Sequence, residues 1–315
     1  MQTVLNVGVD IGKDEVMVAC ADASFAPRPV ANRRTALLAW LKSLPAGSRI
    51  AVEATGRYHA LLVHLAHSQG FSVFVLNPRD LRHYARAVGL RGKTDRVDAK
   101  LIARFLAHEY AKLHAHIPLS PAQRALERLL KRRAKLVAIK GALRQTLRGV
   151  PGLGNEAKAL LTQLQALLDK IDSQLEALSR QQPAHQALRE RLQTIVGVGP
   201  LVSTSLANVF QHIPFPNSDA LIAHTGLDPR PADSGRKIGR RRLSKRGPSE
   251  LRRLLFNAAM SAAKTKLWRP VYEHYRNKGL PSTAALVVIA RKIARIAWSL
   301  FKYQTVFDPK RVATA

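Results

Sequence analysis

Short apolar runs separated by turn signals fill the first third of the chain. Residues 3–11 and 14–21 are rich in Val, and Gly12-Lys13-Asp14 between them reads as a hairpin turn. Leu37, Leu38, Leu41 and Leu44 recur at helical spacing over 34–44. A strand over 49–53 follows, then a helix over 57–69 with Leu61, Leu62 and Leu65 on one face. Phe71-Ser72-Val73-Phe74-Val75-Leu76 reads as a buried strand, and Asn77-Pro78 opens the next helix. The order strand, strand, helix, strand, helix, strand, helix, helix implies a parallel or mixed α/β sheet, because parallel neighbours need crossover connections.

The pattern then changes. Ser120-Pro121 opens a long helical segment, with Ser as N-cap and Pro in the first turn. Pro151-Gly152-Leu153-Gly154 interrupts it, and a second helix runs to about residue 180, so the pair reads as an antiparallel helical hairpin. Pro183 marks a boundary. Beyond it, residues 192–210 hold Val196-Gly197-Val198-Gly199-Pro200 between two helical stretches, 225–249 is rich in Gly, Pro, Ser and Arg, and 250–263 and 283–303 are amphipathic helices. Three domains are expected: an α/β domain over 1–115, a helical hairpin over 120–182 and a mainly α domain over 184–315.

Charge adds a partner to this picture. The 315 residues carry 51 Lys+Arg against 21 Asp+Glu, a formal charge of +30, while a hydrophobic share of 46% is enough for real cores. Such a charge repels itself without a polyanion, and nucleic acid is the default partner. The excess is uneven. Between residues 123 and 149 there are nine basic residues and one acid, Glu127, whereas the second hairpin helix also carries Glu156, Asp169, Asp172 and Glu176. A solvated face usually mixes signs, so the one-signed helix points to nucleic acid, with Lys131, Arg132, Arg133 and Lys135 as contacts. Cys20 is the single cysteine, which excludes an internal disulfide or a multi-cysteine zinc site and fits a reducing cytoplasm. No leader peptide is apparent, and no uncharged apolar run reaches the ~18–20 residues of a membrane helix. A cytoplasmic protein without a membrane partner is expected.

Four acids are the candidate chemistry. Asp10 ends the apolar run Val7-Gly8-Val9-Asp10, Glu53 ends Ile50-Ala51-Val52-Glu53, and Asp95 and Asp98 share a face if a helix starts near Asp95. Singly, each has an ordinary explanation: strand-end acids, and an N-cap at Asp95 with Asp98 three residues on. Together in a basic chain they suggest a Mg²⁺ site, since this ion takes hard oxygen ligands and acts on phosphodiesters. Gly197-Val198-Gly199 reads equally as a helix–hairpin–helix phosphate contact or as a plain turn. In the loop from Asp233 to Gly247, a serine beside glycine and arginine could attack a phosphodiester, or the loop could touch phosphates without chemistry. Nothing local distinguishes Ser234 from Ser244. The scattered histidines read as surface or packing residues.

Taken in order, Val7-Gly8-Val9-Asp10-Ile11-Gly12-Lys13, Val52-Glu53-Ala54-Thr55-Gly56, Lys93-Thr94-Asp95-Arg96-Val97-Asp98-Ala99, Ser234-Gly235, Ser244-Lys245-Arg246-Gly247 and Leu251-Arg252-Arg253-Leu254-Leu255 resemble the IS110 insertion-sequence family of DEDD transposases, a group that includes Piv-like DNA invertases. The resemblance covers nearly the whole chain. It implies an N-terminal RuvC-like (ribonuclease-H-like) domain, a coiled-coil hairpin and a C-terminal transposase domain with a helix–hairpin–helix-like element. It also implies that Asp10, Glu53, Asp95 and Asp98 hold Mg²⁺, and that the serine of the Ser-Gly pair, Ser234 rather than Ser244, is the nucleophile. Donor and target DNA would be recombined through a covalent phosphoserine link. Some members are guided by a structured RNA, which the basic helix over 123–149 would suit. Arg236, Lys237, Arg240, Arg241, Arg242, Lys245 and Arg246 are expected on phosphates, and a homo-oligomer, dimer or tetramer, is expected. Pro248 departs from the family, where Asn is common. The rivals are a metal-only junction-resolving nuclease, in which water attacks, and a non-catalytic nucleic-acid-binding protein; decay to the latter should have lost acids that are all present.

Overall fold

The computed structural model describes residues 4–54, 58–90, 92, 94–231, 233, 234, 239 and 241–312. The chain divides into two compact units, residues 1–118 and 119–315.

The first unit is a mixed sheet with helices. Its elements are β1 (Asn6–Ile11), β2 (Glu15–Cys20), β3 (Arg28–Ala31), α1 (Arg34–Lys42), β4 (Arg49–Glu53), α2 (Ala60–Ser68), β5 (Ser72–Leu76), α3 (Pro78–Ala87) and α4 (Asp95–Glu109). The strand order is β3-β2-β1-β4-β5. β1, β2 and β3 pair antiparallel, while β1–β4 and β4–β5 pair parallel. The expected hairpin turn is present, closed by the Gly12 N–H donating to the Glu15 carbonyl at 2.9 Å. The hydrophobic pattern did not reveal β3. It is short, contains Pro29 and lies at the sheet edge, the place where a strand tolerates a residue without an N–H.

Alternation along the central strands sorts their side chains. Val7, Val9, Ile11, Ile50 and Val52 join one core with Leu37, Trp40 and Leu62 of α1 and α2. Ala51 belongs to the opposite core with Ile102 and Leu106 of α4. Side chains two apart share a sheet face. Gly8 and Asp10 therefore lie on the α4 side of β1, and Glu53 lies on the α4 side of β4.

The second unit is mainly helical. It comprises α5 (Pro121–Thr146), α6 (Gly154–Arg180), α7 (Pro183–Gln193), α8 (Pro200–His212), α9 (Ser218–Thr225), a two-residue pairing of β6 (Pro229–Arg230) with β7 (Arg242–Leu243), α10 (Ser249–Ala262), α11 (Arg269–Asn277) and α12 (Ser282–Tyr303). Ser120 caps α5 as expected, in a full capping box: its Oγ accepts from Gln123 N at 3.1 Å, and Gln123 Oε1 accepts from Ser120 N at 2.8 Å. Leu126 of α5 packs with Ile171 and Leu175 of α6 and with Leu201 of α8, which ties the hairpin base to the helical body. Small residues let α10 and α12 approach closely, because Ala258, Ala259, Ala262, Ala290, Ala294 and Ala297 are all buried in one cluster. Gly197 (φ +98°) has a packing cause: a Cβ there would lie 2.7 Å from the Ala258 carbonyl oxygen and from the Ala262 side chain. The Gly-Val-Gly turn thus seats α7 and α8 against α10. Among the described residues, no helix is long and apolar enough to cross a membrane.

Candidate active site

Backbone geometry brings the four acids to one end of the sheet. β1 and β4 are parallel neighbours with Val9 opposite Val52, so Asp10 and Glu53 are the next residues along each strand, on the same face. α4 covers that face. Its buried stripe is Ala99, Ile102, Ala103 and Leu106. Asp95 and Asp98 sit four residues before Ala99 and Ile102, so they extend this stripe one turn past the strand ends.

What permits the approach is Gly8. A Cβ at this position would collide with the Ala103 nitrogen and the Ala99 carbonyl oxygen, so α4 rests directly on the β1 backbone two residues before Asp10. The capping role that competed for Asp95 belongs to another residue. Thr94 is the N-cap, its side chain accepting from Val97 N at 3.3 Å, and Asp95 is the first helical residue. Both aspartates lie in the electropositive first turn of α4.

Electrostatics record the convergence. Burial raises the Asp10 carboxyl pKa from 3.8 to about 6, helped by the negative charges of Asp98, Asp95 and Glu53, in that order; a backbone hydrogen bond from Ile11 opposes the shift. Asp10, Glu53 and Asp98 are half-buried and Asp95 is exposed. A cleft of about 280 Å³ beside them is lined by Glu53 and Asp98, with Arg82, Pro78 and Leu90 also on its wall. Arg82 was not among the expected site residues. Its signal was the spacing of Arg79, Arg82 and Arg86 along α3. Asn32 was also missed: its Nδ2 bridges the Gly12 carbonyl at 2.9 Å and the Tyr58 carbonyl at 3.3 Å, joining the β1–β2 turn to the segment after β4.

Among the described residues, no three His, Cys, Asp or Glu side chains are placed so that they could hold a metal ion. This is compatible with the raised Asp10 pKa, because charges interact over several ångströms at low dielectric whereas ligation needs direct contact. The four side chains offer only carboxylate oxygens, the donor type a hard divalent ion takes. Three further acids around the half-buried Asp10 carboxyl leave negative charge that such a cation would neutralise.

The serine loop belongs to the second unit, and the structure separates its two serines. Ser234 is exposed. Its neighbour Asp233 accepts from Gly239 N at 3.0 Å and forms a bridge to Arg241 Nη1 at 2.7 Å, and these donors lower the Asp233 pKa. Ser244 is buried and donates to Asp228 Oδ1, while its N–H donates to the Asp228 carbonyl at 2.9 Å. Gly247 follows because a Cβ there would strike the His224 carbonyl oxygen. Arg252 Nη1 donates to the Thr225 and Gly247 carbonyls at 3.0 and 3.2 Å, closing the same corner.

Of the side chains expected on phosphates, Arg242, Lys245 and Arg246 are exposed, Arg241 is engaged by Asp233, and Arg236, Lys237 and Arg240 lie outside the described residues, as do Thr55, Gly56, Lys93 and Gly235. On α5, Arg132 and Lys135 are exposed, and Lys131 bridges Glu127 at 2.6 Å. Arg133 differs from the rest. It is a paired, mostly buried residue that forms a two-pronged bond with Asp172 of α6, Nη2 to Oδ2 at 2.8 Å, and so fastens the hairpin.

Two protein-family models match the chain: a transposase model of the DEDD IS110 type over residues 7–151, and the transposase IS116/IS110/IS902 family over residues 189–275. The chain is 28% identical to the pilin gene-inverting protein of Moraxella lacunata over 82% of its own length and 81% of that protein's. It is 26% identical to the transposase for insertion sequence element IS1328 of Yersinia enterocolitica, over 98% of this chain and 100% of that one. The transposase for IS1111A of Coxiella burnetii is 26% identical over 98% and 92% of the two chains.

Proposed function

The chain belongs to the IS110 family of transposases, and on that premise we propose that it cuts and rejoins DNA through a phosphoserine link at Ser234, with Asp10, Glu53, Asp95 and Asp98 as the holders of a divalent ion, Mg²⁺. The observation that carries this reading is the meeting of Asp10 and Glu53 on adjacent parallel strand ends beneath the first turn of α4. The sheet order, three antiparallel strands followed by two parallel ones, supports a ribonuclease-H-like first domain over 1–115. The long helices on either side of the break support a helical hairpin over 120–182, packed at its base on a transposase domain over 184–315.

When bound, the cation supplies charge neutralisation at the phosphate and lowers the pKa of an oxygen it holds. The chain's own groups do the rest. Ser234 Oγ forms the bond to phosphorus as the bond to a DNA sugar oxygen breaks, and its proton passes to a base. Asp233 is held by Gly239 and Arg241, which keeps its carboxylate ionised beside the serine. The exposed Arg242, Lys245 and Arg246 supply positive charge for phosphates. Donor and target DNA are the substrates, and Arg132 and Lys135 on α5 face solvent where a structured guide RNA could lie along the helix.

The exposure of Ser234 and the burial of Ser244 favour the former as nucleophile. The test is a denaturing gel of reactions on nicked DNA. Wild type and Ser244→Ala should both form a protein–DNA adduct, though the latter loses a buried hydrogen bond and should melt lower. Ser234→Ala should form none. An adduct that persists in Ser234→Ala removes the serine assignment, and cleavage without any adduct favours the metal-only nuclease.

A further inference from the structure

α12 carries a cluster of positive charge that the family motifs do not use. Its sequence, STAALVVIARKIARIAWSLFKY, contains no acid. Arg291, Lys292 and Arg295 fall within little more than one turn and line one cleft of about 450 Å³, with Trp268 and Tyr275 beside them. Arg291 and Arg295 are four residues apart, neighbours on one helix face, where like charges repel. No carboxylate is among the described residues lining this cleft.

Arg295 Nη2 donates to Asp219 at 2.8 Å. The Arg291 Nε is buried and has no acceptor among the described residues, and a guanidinium cannot shed its charge to escape that position. Asp219, Asp228 and Tyr275 lie near enough to act on Arg291, yet burial and Arg295 outweigh them and lower its pKa. Lys292 is lowered by the same two causes. The wholly buried Trp268 lines the cleft, and its indole nitrogen likewise lacks an acceptor among the described residues. The result is a recess whose described lining holds three cations and no carboxylate.

We propose that this cleft binds a phosphate group, and that the group is a backbone phosphate of the nucleic acid on which the protein acts. Guanidinium forks match phosphate oxygens two at a time, and the ammonium of Lys292 adds a point charge. The nucleic-acid source rests on the transposase reading; the phosphate chemistry rests on α12 alone. Trp268 and Tyr275 lie inside the segment matched to the transposase family, whereas Arg291, Lys292 and Arg295 lie beyond it.

The test uses the full chain and the double variant Arg291→Gln/Lys292→Gln, with Lys292→Gln alone as the milder change. In the first arm, melting is followed in inorganic phosphate and in chloride at matched ionic strength. Wild type should gain stability specifically from phosphate by mass action, and the double variant should not. In chloride the double variant should melt no lower than wild type, because it has lost repulsion. In the second arm, duplex DNA binding is measured against salt, and the slope should fall by about 0.9 for each phosphate no longer neutralised. A phosphate effect with an unchanged slope would overturn the nucleic-acid source and leave free phosphate as the ligand. No phosphate effect and no slope change would overturn the proposal, as would a lower chloride melting point without a phosphate effect, the mark of purely structural cations. Failure of wild type to bind DNA would end the substrate reading instead, while the phosphate arm would still report on the cleft.

Discussion

Asp10 is a residue whose proposed role opposes folding. Its folded-state pKa of about 6 lies above the ordinary 3.8 because burial and three acids disfavour its charge. Between these two values the folded protein holds the proton more tightly than the unfolded chain, so without metal this group's contribution falls as pH rises from about 4 to about 6, and stays low above that. Asp10→Asn should therefore melt above wild type in metal-free buffer near neutral pH, and the two should converge around pH 4, where wild type is protonated. Divalent cation should raise the wild-type melting point and leave the variant almost unmoved. Calorimetry with and without Mg²⁺ at both pH values checks this; a variant that melts lower than wild type at neutral pH would show that Asp10 is a structural acid. The sequence disclosed Asp10 and Glu53 because acids ending apolar runs are conspicuous. It could not separate Ser234 from Ser244, because the difference lies in a bond from Ser244 to Asp228, sixteen residues away.

Elements place these residues, and α4 on β1 is the decisive contact. Gly8→Ala would drive a methyl group into the backbone of α4 at Ala99 and Ala103. Overpacking of this kind costs about 1–3 kcal/mol, and relief by lifting α4 would carry Asp95 and Asp98 away from Asp10. The variant should lose melting temperature and lose DNA cleavage by more than its folded fraction explains, measured at a temperature where circular dichroism shows it folded. Cleavage that tracks the folded fraction would show that α4 does not position the acids. The hairpin gives a second case. Its basic helix was legible from charge alone, but Arg133 had its partner on the other helix, a long-range pairing that no local pattern announces. Changing Lys131, Arg132 and Lys135 to Gln should flatten the salt dependence of nucleic-acid binding by ~0.7–0.9 for each phosphate that these side chains neutralise. Arg133→Gln should instead lower hairpin stability, and an unchanged slope in the triple variant would make those side chains merely solvated. The missed strand β3 has the same lesson in another form, since a four-residue edge strand containing Pro29 carries almost no pattern.

The molecule as a whole carries a formal charge of +30, and on the proposed reading that charge and the four acids do opposite work on one substrate. Lysines and arginines gather DNA by releasing its counterions, a term indifferent to the chemistry. The acids, in that reading, would repel the same phosphates until a cation lay between them. Binding and catalysis should therefore separate by variant. Without metal, Asp10→Asn should bind duplex DNA as tightly as wild type or more tightly, because it removes a negative charge. Ser234→Ala should bind equally well, since an exposed hydroxyl contributes little to an interface dominated by charge. With metal, neither should join or cleave strands. Fluorescence anisotropy across a salt series gives the binding half, and strand cleavage on the same DNA gives the other. If Asp10→Asn loses about tenfold in affinity, roughly 1.4 kcal/mol, at every salt concentration while remaining folded, then the acids contribute to holding DNA. The division of labour between a basic surface and a carboxylate centre would not describe this protein.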